Sequence, residues 1–328
     1  MKILVTGSSG HLGEALIRTL QNKHIDYTSV DVKHSAFTKK TGSITDREFV
    51  KECMQGVDVV IHAATLHKPH IATHSDQEFL DTNVTGTLNL LQEAKIQGAK
   101  SFIYTSTTST FGDMLTPPKN EPAIWVTEET EAIPKNIYGV TKAAAEDLCQ
   151  IFYRNLKLPC LILKTSRFFP EEDDKRSIRD LYEDENIKVN EYLYRRVDIE
   201  DVVTAHLIAI EKVAEIGFGK FIISATSPFL KNDLISLRND APAVVEKLYP
   251  DYNKIYRKKN WKMLPEIDRV YVNEKARAVL GWKPKYDFRY VLGCIKQGKD
   301  FRSQLSQRVG VKGYHLQAFE DGPYPVND

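Results

Sequence analysis

The chain has 328 residues, 42% of them hydrophobic, with a formal net charge of +1. Such a length suits a large core in about two lobes, and near-neutral charge gives no electrostatic case for nucleic acid or an anionic membrane. No apolar run approaches the roughly 20 residues of a membrane span, the N-terminal apolar stretch is too short for a secretory leader, and Cys53, Cys149, Cys160 and Cys294 lack zinc-site or disulfide spacing, so a cytoplasmic setting with reduced thiols is expected.

Lys2-Ile3-Leu4-Val5-Thr6 reads as a strand buried on both faces, and helical spacing predicts a helix over 11–22. Between them lies Gly7-Ser8-Ser9-Gly10-His11-Leu12-Gly13. A strand, a tight glycine turn and a helix N-terminus make a site for a dinucleotide pyrophosphate. Glycine lets the backbone approach the phosphates, and the unpaired N–H groups at the helix start face the anion. Glycine turns also serve as ordinary strand-to-helix connections, so the flanking elements carry this reading. The second strand, predicted over 27–31, ends in Asp31. A carboxylate there accepts hydrogen bonds from the adenosine ribose and repels a 2′-phosphate, which favours NAD over NADP. Lys33, Lys39 and Lys40 soften that preference only if their loop folds back.

Further strands are predicted over 57–62, 101–105 and 160–165, and helices over 46–55, 76–97 and 138–155. This alternation predicts an α/β fold: a doubly wound parallel (Rossmann) sheet whose ligands bind beyond the carboxyl ends of its strands. A dinucleotide-binding domain is expected over 1–165. Beyond it come a charged stretch over 170–176, a helix from Ile199 to about Val213, a strand over Lys220–Ser224, and short helices and loops over 240–328. A smaller substrate-binding lobe is expected over 166–328, discontinuous because 195–225 returns to the sheet.

Tyr138-Gly139-Val140-Thr141-Lys142 places a phenol and an ammonium one helical turn apart. An ordinary tyrosine is a poor base at pH 7. A neighbouring ammonium, helped by an oxidised nicotinamide, favours the phenolate and lowers its pKa. Tyr138 then removes a hydroxyl proton while hydride leaves for the cofactor, and Lys142 also holds the nicotinamide ribose. The run from Thr105 to Thr110 is hydroxylic throughout and sits at a strand's carboxyl end, placed to bind the reacting oxygen. Most of these hydroxyls are expected to satisfy their own loop backbone.

Together these residues resemble the extended short-chain dehydrogenase/reductases, in their NAD-dependent epimerase/dehydratase branch. The resemblance spans TGSSGHLG at 6–13, Asp31, GSITD at 42–46, VVIHAA at 59–64, NVTGTLNLLQEA at 83–94, FIYTSTTSTFG at 102–112, YGVTK at 138–142, DIEDVVTAH at 198–206 and LGWKP at 280–284. It implies a hydroxyl-orienting role for Thr107, with Tyr138 as base and Lys142 as its electrostatic partner. It implies pyrophosphate contact from the backbone around Gly7, Gly10, His11, Leu12 and Gly13. Ala63, Ala64 and Thr65 fall on the adenosine and ribose side, and Thr82 and Thr105 where the family packs against the cofactor. Ser43, followed by Ile44, stands where the family usually has an aspartate facing the adenine. The implied activity is NAD-dependent oxidation and reduction of a secondary alcohol on a sugar or sugar-like substrate, as an epimerase, dehydratase or dehydrogenase. The implied assembly is a homodimer through helices 76–97 and 138–155.

Arg167 stands where many nucleotide-sugar enzymes have an asparagine, and it has two readings: a clamp on a substrate carboxylate or phosphate, or an ion pair with Glu171, Glu172 or Asp173. The segment from there to Asp198 is short for a nucleotide-gripping element, which places a UDP-sugar in doubt. The spacing of His62, His67, His70 and His74 matches no metal motif, so no metal is expected, whereas His67 borders the cleft as a candidate substrate contact. Glu128 or Glu129 could supply an acid or base for dehydration. Two alternatives remain: a non-catalytic NAD(P)-binding sensor, and a simple dehydrogenase or reductase of a non-nucleotide carbonyl compound.

Overall fold

A computed structural model describes residues 1–315 and 319. Residues 316–318 and 320–328 of the expected lobe lie outside the described residues. Among the described residues nine strands form: β1 (Lys2–Thr6), β2 (Asp26–Asp31), β3 (Lys40–Thr41), β4 (Val59–His62), β5 (Ser101–Thr107), β6 (Ile124–Val126), β7 (Cys160–Thr165), β8 (Phe218–Ile223) and β9 (Arg269–Tyr271). Seven of them build one parallel sheet in the order β3-β2-β1-β4-β5-β7-β8, while β6 and β9 pair as a separate parallel ribbon. The chain reverses direction of travel across the sheet between β1 and β4, the switch point where ligands of such sheets bind.

The two-residue period of the strands sorts their side chains into two cores. Ile3, Val5, Ile61, Ile103, Leu161, Leu163, Phe221 and Ile223 face one side, under α1 (His11–Asn22) and a later helix at Ile199–Ile216. Leu4, Val60, Phe102, Tyr104, Cys160 and Ile162 face the other. There they meet α2 (Arg47–Cys53), α4 (Gly86–Ile96) and α5 (Ile137–Leu156). Short α3 (Asp76–Phe79) joins α4 through a wider π turn at Leu80–Thr85, so the single helix expected over 76–97 is interrupted in its middle. After β7 come α6 (Arg176–Leu181), α7 (Asp184–Glu191) and α8 (Ile199–Ile216).

Asp46, Asn136 and Asp198 cap α2, α5 and α8 by accepting hydrogen bonds from first-turn N–H groups. A third core joins Tyr192, Leu193, Val245, Tyr256, Ile267 and Phe288 and forms the smaller lobe, which also takes Ala123 from before β6. Its link to the sheet is Trp282, fully buried, whose Nε1 donates to the Asp201 carbonyl at 3.1 Å. The Asp201 carboxylate in turn accepts from the N–H groups of Lys285 and Tyr286. Among the described residues no helix is long and apolar enough to cross a membrane.

Candidate functional site

The carboxyl ends of β1, β4, β5 and β7 converge on one cleft edge. At β1 the glycine turn is as tight as its composition demands. Gly7 has φ +74°, and a Cβ there would lie 2.7 Å from Ala64 N. A Cβ on Gly13 would lie 2.0 Å from Gly7 O, so only hydrogen fits. Gly10 caps α1 with no side chain, leaving the helix's first N–H groups to a ligand rather than to a capping oxygen. A close backbone cradle and an uncapped twelve-residue helix fit a dinucleotide pyrophosphate.

Asp31 ends β2 beside this turn. Its Oδ2 accepts from Ser9 N at 2.9 Å and its Oδ1 from Lys33 N at 2.8 Å, so the carboxylate ties the turn to the end of β2. The nearby lysines point elsewhere: Lys39 Nζ lies 3.6 Å above the Tyr27 ring, and Lys40 Nζ donates to the Glu52 carbonyl. Neither the Lys39 nor the Lys40 ammonium therefore offsets the discrimination expected of Asp31.

Thr6 Oγ1 knits β1 to β4, accepting from Ala63 N at 3.2 Å and Ala64 N at 3.1 Å and bonding His62 Nδ1 at 2.8 Å. His62 is thus a satisfied core histidine, bridged on its other side to Thr87. Thr65 Oγ1 donates to Asn83 Oδ1 at 2.8 Å, and Asn83 Nδ2 donates to the Leu66 carbonyl and to Thr141 Oγ1. Asn83 sits in the π turn, buried, and locks the β4 loop to the helix that bears Tyr138. Sequence reasoning gave it no role. Its signal was an amide inside an otherwise helical run. Thr82 beside it is half-buried. Ser43 Oγ bonds only its neighbour Thr45, 2.7 Å away, while Ile44 is buried with its carbonyl held by Asn89.

The candidate reacting groups lie on β5 and α5. Tyr138 is 6% exposed and Lys142 is 2% exposed. Lys142 Nζ donates to the Thr105 carbonyl at 2.7 Å and lies 4.1 Å over the Tyr104 ring. Thr105 thus meets α5 through its carbonyl. Its hydroxyl turns to the opposite sheet face, 2.8 Å from His206 Nε2. Thr107 Oγ1 accepts from Ser109 N at 3.1 Å and stands as the hydrogen-bonding neighbour of the Tyr138 phenol. The remaining hydroxyls serve the fold, with Thr110 donating to the Thr107 carbonyl and Ser106 to Glu146.

Electrostatics here differ from the sequence expectation. Burial pushes the Tyr138 phenol up to about 12, against the contact from Thr107, and pushes Lys142 down to about 7, against Glu146. For the phenol, desolvation outweighs the Thr107 contact, while the Lys142 amine is turned to the Thr105 carbonyl. Glu146 lies one further turn along α5. Its Oε1 accepts from Ser106 Oγ and Lys164 Nζ, both at 2.6 Å, and Lys220 Nζ lies 2.9 Å from its Oε2.

His67 comes to the same place. Its ring centroid lies 5.9 Å from that of Tyr138 and 5.6 Å from Phe169, and burial holds its pKa well below the usual histidine value. Its N–H donates to His70 Nδ1. His11, at the start of α1, pairs with Glu171 at 2.7 Å. Of the two readings of Arg167, the geometry takes the ion pair. Its Nη1 lies 2.8 Å from Asp173 Oδ2, 3.5 Å from Asp174 and 3.6 Å from Glu191, within a network that includes Arg195, Arg196 and Lys68. Glu128 is likewise committed, accepting from Ile222 N at 2.7 Å. Among the described residues no group of three or more His, Cys, Asp or Glu side chains is placed to hold a metal ion.

Comparison with known proteins adds the following. The model of the NAD dependent epimerase/dehydratase family matches residues 3–223. A dTDP-D-glucose 4,6-dehydratase of Dictyostelium discoideum is 29% identical over 250 residues, covering 66% of this chain and 56% of that protein. A UDP-glucose 4-epimerase of Lactobacillus helveticus is 24% identical over 324 residues, covering 88% and 93%. The chain thus spans about half the length of the dehydratase and nearly all of the epimerase. Among solved structures, a short-chain dehydrogenase/reductase superfamily protein from Agrobacterium tumefaciens with bound NAD superposes with a TM-score of 0.64 at 19% identity, covering 91% of this chain and 98% of that one.

Proposed function

Because the chain belongs to the NAD-dependent epimerase/dehydratase family, we propose that it uses NAD to oxidise a secondary alcohol on a sugar or sugar-like substrate, with Tyr138, Lys142 and Thr107 as its reacting set. The observation that supports this reading is a buried Tyr138 one helical turn from a buried Lys142, with Thr107 in contact with the phenol and Lys142 donating to the Thr105 carbonyl on the same strand. The relatives' names, which specify glucose nucleotides, support a sugar.

Bound NAD would lie along the Gly7–Gly13 turn and Asp31 and supply the hydride acceptor. The chain's own groups do the rest. Thr107 Oγ1 holds the substrate hydroxyl against the phenol. Tyr138 Oη takes that hydroxyl's proton as the carbon gives up hydride, and returns it when a carbonyl is reduced. Burial favours the protonated phenol, so the forward step needs positive charge close by; Lys142 supplies it, and Glu146 favours the charged form of Lys142. His67, packed on Tyr138, keeps water from that side of the phenol and is the candidate substrate contact. Arg167, bound into its acidic network, shapes the cleft wall.

A homodimer through helices 76–97 and 138–155 is part of the same proposal, supported by exposed Leu80, Val140 and Ile151 on those helices. Light scattering should then give twice the 37.4 kDa chain mass. The cytoplasm is the proposed site of action, in keeping with four free cysteines.

Tyr138→Phe tests the chemistry. It should bind NAD as the wild type does and lose turnover by about 10²–10⁴-fold, the usual worth of a positioned acid or base. A variant that keeps its turnover removes Tyr138 from the mechanism. A wild type that binds NAD but turns over nothing in a wide screen of sugars and alcohols favours the sensor.

A further inference from the structure

Residues 312–315 return to the mouth of the cleft. After a helix at Gln304–Val309, Gly310 and Gly313 adopt φ of +61° and +68°, left-handed values that glycine takes without strain. The turn they make brings Lys312, Gly313, Tyr314 and His315 against three of the loops that define the site. Glu171, in the loop after β7, accepts through Oε1 from Lys312 N at 3.0 Å and from Gly313 N at 3.1 Å. The same oxygen is the partner of His11, the first residue of α1, where the loop after β1 ends. The Lys312 ammonium pairs with Glu14 in the first turn of α1.

Tyr314 completes the contact. Its ring centroid lies 6.0 Å from His11, 5.9 Å from His67, 5.8 Å from His70 and 5.8 Å from Phe169. His315 Nε2 donates to the carbonyl of Pro69, in the loop after β4, at 2.9 Å. One short segment therefore bridges the β1, β4 and β7 loops.

The charges give the segment a purpose beyond packing. Glu14 and Glu171 put two carboxylates beside the helix end that suits a pyrophosphate, and like charge there opposes anion binding. Lys312 answers one of them directly, and its N–H groups with Gly313 hold the other against His11. The aromatic ring meanwhile sits over the histidines that line the approach to Tyr138.

We propose that Lys312–His315 forms the outer wall of the dinucleotide cleft and that Tyr314 is a cofactor-retaining residue, held down by the contacts of Lys312 and Gly313 with Glu14 and Glu171. The inference rests on the dinucleotide reading of the site given above. It makes release of bound NAD depend on lifting this segment.

Rapid dilution or displacement of NAD, followed by intrinsic fluorescence, reads the release rate without any turnover. Tyr314→Ala and Lys312→Ala should each release NAD at least tenfold faster than the wild type. Tyr314→Phe keeps the ring and should release NAD more slowly than Tyr314→Ala. The effect of Lys312→Ala should shrink at high salt, where charge is screened. Urea unfolding without NAD checks that the variants fold as the wild type does. Release rates unchanged in both alanine variants overturn the proposal. Slower release or tighter binding overturns it too, because the segment would then be a plug that NAD must displace. A wild type that binds no dinucleotide overturns the functional reading itself, and this inference with it.

Discussion

Lys142→Met is the substitution that separates the chemistry of the site from its cost to the fold. The Lys142 ammonium is 2% exposed, and burial takes it from its ordinary 10.5 down to about 7. The sign follows from proton binding: between about pH 7 and 10.5 the unfolded chain holds a proton that the folded chain sheds, so this residue's contribution to stability rises with pH across that window. At about 1.4 kcal/mol per pH unit, and with the folded group half-protonated at pH 7, burial of the ammonium costs the folded state about 4 kcal/mol at pH 7 and about 2 at pH 9. Glu146, its strongest opposing neighbour, is held below the usual carboxylate range by Lys164 and Lys220 and stays ionised throughout. Methionine fills a similar volume and carries no charge. Urea unfolding of both proteins at pH 7, 8 and 9 should therefore find Lys142→Met the more stable at pH 7, with the difference narrowing by about 2 kcal/mol by pH 9 and turnover abolished. A difference that stays constant with pH would refute the argument, since packing changes carry no pH slope.

Other substitutions probe neighbouring parts of the account. Gly13→Ala puts a methyl 2.0 Å from Gly7 O, so it should cost about 1–3 kcal/mol in urea unfolding and abolish NAD binding by calorimetry. Glu146→Leu strands Lys164, 3% exposed, and should cost about 3–5 kcal/mol, part of it recovered in the double variant Glu146→Leu/Lys164→Met, which removes that stranded ammonium. Asp31→Asn should weaken NAD by about ten- to hundredfold, as loss of charged hydrogen bonds does, and weaken NADP much less because the repulsion of its 2′-phosphate goes too. Equal losses for both dinucleotides would remove Asp31 from cofactor choice.

Much of this architecture is legible in the residues themselves. Ile3-Leu4-Val5 and Leu161-Ile162-Leu163 are apolar on both faces, which is what a parallel strand between two helix layers requires. Gly7 and Gly13 stand where nothing larger fits, and Tyr138 and Lys142 share a helix face. The unread parts depend on partners distant in the chain or on very short elements. β3, with two residues, and β6 and β9, with three each, are too brief to carry a period. The π turn at Leu80–Thr85 leaves no mark on a helical pattern, so Asn83 passed unnoticed. Glu146 meets Lys164 from another element, and Lys312 reaches Glu14 across 298 positions. The direction of the Tyr138 shift could not be read from spacing either, because it is set by how deeply phenol and ammonium are buried together, and burial is a property of the assembled core.

The central claim is that Tyr138, Lys142 and Thr107 meet at the nicotinamide end of an NAD site on the β1 turn. A crystal structure of the wild type grown with NAD tests it most directly. The account predicts the pyrophosphate on the N–H groups of α1, with the nicotinamide C4 and the Tyr138 oxygen both within about 3.5 Å of one shared point where a substrate carbinol would sit. A dinucleotide bound away from the Gly7–Gly13 turn, or a nicotinamide screened from the phenol by intervening side chains, would contradict it.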